Sequence, residues 1–105
     1  MIKIYGSMKC PDCRKCKYNF DLYGIEYKFI DIMESMPNLK EFLHMRDTLP
    51  IFADYRGSTK VGIPDLVDSN GTDFHNWENY LTEKGFEVKD ISTEGASCSI
   101  NGKGC

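Results

Sequence analysis

Apolar and polar residues alternate from Met1 through Ile2, Lys3, Ile4 and Tyr5, the period of a strand with one buried face, and Gly6-Ser7 closes the run. Over residues 14–23 the period changes. Cys13, Cys16, Phe20 and Tyr23 follow at spacings of three, four and three, one face of a helix that Gly24 ends. Residues 25–32 return to a β-favouring run, mostly apolar from Tyr27 to Ile32. Strand, helix and strand make a βαβ unit, so the first two strands are expected to be parallel.

A second helix is predicted from Ser35, a good N-cap, with Pro37 in its first turn, Leu39, Phe42, Leu43, Met45 and Leu49 inside, and Pro50 as its end. His44 lies off that stripe and is expected at the surface. Residues 50–62 read as an irregular loop or one short helical turn, in which Phe52, Tyr55, Arg56 and Lys60 are candidate substrate contacts. Pro64 opens a strand over residues 65–68, where a missing N–H is tolerable. Asn70-Gly71 is a hairpin signal leading into a short strand, residues 72–74. A last helix over residues 76–84 buries Phe74, Trp77, Tyr80 and Leu81, and Gly85 closes it. Residues 86–91 alternate and are expected to add a strand or run extended across the surface. Residues 92–105, rich in Ser and Gly, read as a mobile tail.

The chain of 105 residues is long enough for one domain, assigned to residues 1–91. A net charge of −3 removes the electrostatic case for binding nucleic acid or an anionic membrane. The sequence opens on a strand and lacks an apolar run near ~18 residues, from which a soluble, cytoplasmic, monomeric protein is expected. Five cysteines in such a chain point to redox or metal chemistry rather than a structural disulfide framework.

Two of them define the centre of interest, Cys10-Pro11-Asp12-Cys13, where a strand hands over to a helix. At a helix N-terminus the unpaired N–H groups and neighbouring cations, here Lys9, Arg14 and Lys15, favour a thiolate. Pro11 suits the first helical position. Asp12 opposes the thiolate by like charge, which argues for a comparatively reducing couple. The stripe turns Cys13 inward and leaves Cys10 at the exposed end, an accessible attacker beside a sheltered resolver. Cys16 shares the face of Cys13 and is a buried small hydrophobe, a second resolver or a metal ligand.

The N-terminal strand, Cys10-Pro11-Asp12-Cys13, the amphipathic helix, the second strand and Gly62-Ile63-Pro64 ahead of another strand resemble glutaredoxin, the small glutathione-linked branch of the thioredoxin superfamily, over roughly residues 1–85. The resemblance implies an α/β thioredoxin (glutaredoxin-like) fold, a central four-stranded mixed sheet with flanking helices. It implies a cis Ile63–Pro64 bond opposite the cysteines, with the backbone of Ile63 receiving the substrate. Lys9, Pro11, Ile63 and Pro64 are then the residues expected to contact substrate or glutathione. The sequence departs from the family at residues 74–76, Phe74-His75-Asn76, where a glycine pair is usual, and at Ser7, where the family has lysine.

The activity expected is thiol–disulfide exchange through a reversible Cys10–Cys13 disulfide, on disulfide-containing proteins or small molecules. It needs no bound cofactor, and glutathione or a thioredoxin-reductase-type system would be the reductant. The alternative is a zinc or iron–sulfur module drawing on Cys10, Cys13, Cys16 and the tail cysteines. Cys98 and Cys105, six residues apart, suit an accessory disulfide, a relay to the main pair, or metal ligands; they are otherwise idle thiols.

Overall fold

The computed structural model describes residues 1–90. In chain order the elements are β1 (Ile2–Gly6), α1 (Pro11–Leu22), β2 (Tyr27–Asp31), α2 (Met36–Thr48), a 3-10 turn (Pro50–Phe52), β3 (Asp65–Val67), β4 (Asp73–Phe74) and α3 (Trp77–Glu83). The strands form one sheet in the order β2-β1-β3-β4. β1 runs parallel to β2 and antiparallel to β3, and β3 runs antiparallel to β4. The βαβ unit is therefore present, and the chain is a mixed α/β protein.

Alternation along β1 sorts its side chains onto two apolar layers. Ile2 and Ile4 pack with Cys16 and Phe20 of α1, Leu66 of β3, and Trp77 and Leu81 of α3. Tyr5 packs on the other face with Ile30, Ile32, Phe42 of α2 and Phe52. Each fully buried Phe or Leu contributes roughly 1.5–3 kcal/mol of burial. Helices thus cover both faces, α1 and α3 on one and α2 on the other, and Cys10 follows the C-terminal end of the central strand β1.

The start of α2 follows local chemistry, with the Ser35 hydroxyl accepting from the Asn38 N–H at 3.3 Å. Its buried stripe is narrower than the sequence pattern suggests. Phe42 is wholly buried, Leu39, Met45 and Leu49 are partly buried against the same layer, and Leu43 is 38% exposed. His44 is exposed. In the β3–β4 hairpin the Asp68 carboxylate accepts from the N–H groups of Asn70 and Thr72 at 2.8 and 3.0 Å.

Residues 86–90 add no strand. They are tied to α1 instead: the Asn19 amide donates to the Lys89 carbonyl at 2.8 Å and accepts from its N–H at 2.7 Å. One side chain satisfies both backbone groups that a neighbouring strand would have paired. Phe86 stacks on Tyr23 at 4.4 Å, and Lys15 meets Asp90 at 2.8 Å.

Candidate active site

The turn from β1 to α1 is built around Ser7. Its carbonyl accepts from the Cys10 N–H at 3.0 Å, and its hydroxyl accepts from the Lys9 N–H at 3.1 Å. Cys10 is the N-cap of α1 and Pro11 its first residue; the Cys10 carbonyl accepts the first helical bond, from the Arg14 N–H, at 3.1 Å. Cys10 is half-buried, whereas Cys13 and Cys16 are wholly buried.

Cys13 approaches the sheet where β1 has no side chain. A Cβ on Gly6 would lie 2.7 Å from the Cys13 Sγ, so this glycine sits inside the strand, paired with Asp31, for reasons of space. The sequence pattern had it only as the end of the strand. Cys16 belongs to the apolar layer with Ile4 and Phe20, and burial pushes its thiol up.

The two cysteines of the motif are driven in opposite directions. A hydrogen bond from the Cys13 thiol lowers Cys10 to about 6 against the cost of its partial burial, and the N–H groups of Cys13 and Asp12 add to that lowering. The Asp12 charge opposes, as its sign requires, and it is the weakest of these influences; the N–H of the same residue works the other way. Cys13 is pushed far up by its bond to Cys10 and by burial. Cys10 is thus the thiolate at neutral pH, and Cys13 keeps its proton.

Cys10 opens onto a groove of about 820 Å³. Lys9 and Asp12 line it on the cysteine side, and Lys60, Ile63, Pro64 and His75 line it on the other. The Ile63–Pro64 bond is cis. Cys10, Lys9, Ile63 and Pro64 are therefore brought to one site. Pro11 acts by starting the helix and is not part of the groove lining. Cys98 and Cys105 lie outside the described residues.

The four candidates from residues 50–62 divide evenly. Tyr55 and Lys60 line the groove. Phe52 does not, because its ring fills the second apolar layer against Phe42 at 5.7 Å. Arg56 turns to the C-terminal end of α2, donating to the carbonyls of Arg46 and Leu49 at 2.5 Å each.

The sequence reading missed the far wall of the groove. Asp65 follows Pro64, is wholly buried on the Tyr5 side of the sheet, and among the described residues has no hydrogen-bond donor at either oxygen apart from the Asp73 carboxyl. Its Oδ1 lies 3.3 Å from the His75 Nε2, in contact but without hydrogen-bond alignment. Burial and the neighbouring Asp73 carboxyl push Asp65 up to about 9. Burial lowers His75, opposed by the charge of Asp73 and by the Gly62 carbonyl. An aspartate directly after a proline in a strand buried on both faces was the available signal.

Among the described residues, no group of three or more His, Cys, Asp or Glu is arranged to hold a metal ion, and no helix is long and apolar enough to cross a membrane. The fold and site together define a mixed α/β protein with a paired dithiol at a helix N-terminus facing a proline-walled groove. No family model matches the chain. An uncharacterized protein of Haemophilus influenzae is 37% identical to it over 68 residues, which are 65% of this chain and 79% of that protein. The chain belongs to the same family as that protein.

Proposed function

We propose that this protein is a thiol–disulfide oxidoreductase of glutaredoxin-like, thioredoxin-type fold, working through Cys10 and Cys13. The observation that carries the reading is the unequal pair: a half-buried Cys10 lowered to about 6 on a helix N-terminus, and beside it a buried Cys13 held as the thiol. That inequality assigns the roles. The Cys10 thiolate attacks one sulfur of R–S–S–R′, forming Cys10–S–S–R and releasing R′–S⁻, which takes a proton from solvent. Cys13 then loses its proton and attacks the Cys10 sulfur. R–S⁻ leaves, and the Cys10–Cys13 disulfide remains.

Two electrons have passed to the substrate, and an external thiol reductant of the glutathione or thioredoxin-reductase kind must return them. The cysteines carry the electrons, so the cycle needs no bound cofactor. Partners are then disulfide-bearing proteins or small disulfides laid along the groove between Cys10 and Pro64. The order of elements, the mixed four-stranded sheet and the cis Ile63–Pro64 bond support the fold named here.

Reduction of a peptide disulfide by the purified protein tests the reading, with metal content measured on the same sample. Activity that vanishes in Cys10→Ser, together with a mixed disulfide trapped on Cys10 in Cys13→Ser, is the expected result. An inactive wild-type protein carrying stoichiometric zinc or iron would favour the metal-module alternative.

A further inference from the structure

The groove wall opposite Cys10 is backed by an arrangement that packing alone does not call for. The His75 ring links two places in the chain: Nε2 lies 3.3 Å from the buried carboxyl of Asp65, and the ring packs on Phe52 and Tyr55, the same two side chains that Gly62 rests on. Phe52 and Tyr55 hold the ring edge-on at centroid distances of 4.8 and 4.9 Å. Gly62 rests on the same Phe52, with φ of +100° and room for no Cβ beyond 3.0 Å from that ring. The backbone two residues before Pro64 and the carboxyl one residue after it thus meet around one imidazole.

We propose that His75 is a positioning residue for substrate: through Gly62 and Asp65 it fixes the wall formed by residues 62–64, and it does so only while the Asp65–Asp73 pair holds a proton. The proposal rests on the oxidoreductase reading above, since the wall matters only if a disulfide substrate is laid against it.

The proton requirement follows from the surroundings. Asp65 is wholly buried, and among the described residues no donor reaches its oxygens apart from the neighbouring carboxyl of Asp73 on β4, with which it can share a proton. On β1, Tyr5 faces the pair, pushed up by burial and by its hydrogen bond to Glu41 of α2, so it stays neutral. The charged residues that line the groove itself are Lys9, Asp12, Lys60 and Glu78. With no cation inside, the pair tolerates one negative charge. A second would place two carboxylates against each other and against the ring that props Gly62. Asp65 has a raised pKa, so its proton is present at neutral pH and is lost as pH rises through about 9.

The test is steady-state reduction of a peptide disulfide from about pH 6 to about pH 10, with the rate of Cys10 alkylation by iodoacetamide measured alongside. In the wild type, KM should rise several-fold through the upper part of that range. Asp65→Asn, which mimics the protonated carboxyl, should keep the neutral-pH KM and lose the alkaline rise. His75→Ala should raise KM about tenfold at every pH, leave kcat within about twofold and leave alkylation unchanged, and His75→Gln should recover part of the loss. Thermal unfolding of each variant establishes that it is folded.

An alkaline rise that survives in Asp65→Asn would overturn the proposal. So would an unchanged KM in folded His75→Ala, or an alkylation rate that falls with it, which would place the histidine on the thiol instead. A wild type that reduces no disulfide would reject the oxidoreductase reading itself, and this proposal with it.

Discussion

Cys10 lines the groove and Asp65 is buried behind the wall that faces it, each an acid partly or wholly removed from water, yet one is lowered to about 6 and the other raised to about 9. Burial raises both. What separates them is the supply of donors. Cys10 stands at the N-cap of a helix, where the Cys13 thiol and the first-turn N–H groups of Cys13 and Asp12 favour its anion. Asp65 sits within a sheet whose N–H groups are spent on the ladder, and among the described residues neither of its oxygens finds a donor apart from the Asp73 carboxyl. An anion is stable in this protein where the backbone offers unpaired hydrogen, and a proton is retained where it does not.

Breaking the thiolate side has the largest expected effect. Cys10→Ser should abolish disulfide reduction, because Cys13 and Cys16 are buried and keep their protons. Gly6→Ala comes next: a methyl 2.7 Å from the Cys13 Sγ must displace that thiol, at a cost of about 1–3 kcal/mol in stability. The second half-reaction should slow, while alkylation of Cys10 in the reduced protein persists.

The carboxyl side is sharpened by pH. A raised Asp65 binds its proton in the folded state between its unfolded value near ~3.9 and about 9, so its contribution to stability falls as pH climbs through that window. Cys10 has the opposite sign: its contribution is full above the ordinary thiol value near ~8.5 and is lost as pH falls through about 6. Asp65→Asn should therefore stabilise the protein more at pH ~8 than at pH ~4, and Cys10→Ser should destabilise it more at the higher pH. Denaturant melts of both variants at the two pH values would check the crossed slopes.

Asn19→Ala should cost about 1–3 kcal/mol, for it removes three hydrogen bonds and strips Lys89 of partners for its N–H and carbonyl. The smallest effect belongs to Asp12→Asn. Its charge is the weakest influence on Cys10, so the thiol should fall by only a fraction of a unit, less than the ~1.4 kcal/mol that one unit represents.

Much of this was legible before any coordinates. Period-two alternation located β1 and helical spacing located α1, α2 and α3 to within a few residues, while β2 followed from β-favouring composition and β3 and β4 from Pro64 and Asn70-Gly71. The Cys10–Cys13 geometry was legible too, since it depends on local order alone: strand, turn, proline at the first helical position. Contacts made at long range were hidden. Asn19 is a polar residue buried on the α1 stripe, and its partner Lys89 lies 70 residues away. Arg56 was a candidate substrate contact, but it donates to the carbonyls of Arg46 and Leu49 at the end of α2. Asp65 and His75, ten residues apart in different strands and turns, meet only through hairpin geometry, which no spacing rule encodes.

The most direct test of the central claim is the pH dependence of alkylation in the reduced, folded protein, followed by mass spectrometry of each cysteine. The rate at Cys10 should reach half its maximum near pH 6, with Cys13 and Cys16 unlabelled until the protein unfolds. A Cys10 rate that climbs only through the ordinary thiol range near ~8.5, or labelling shared equally with Cys13, would contradict it.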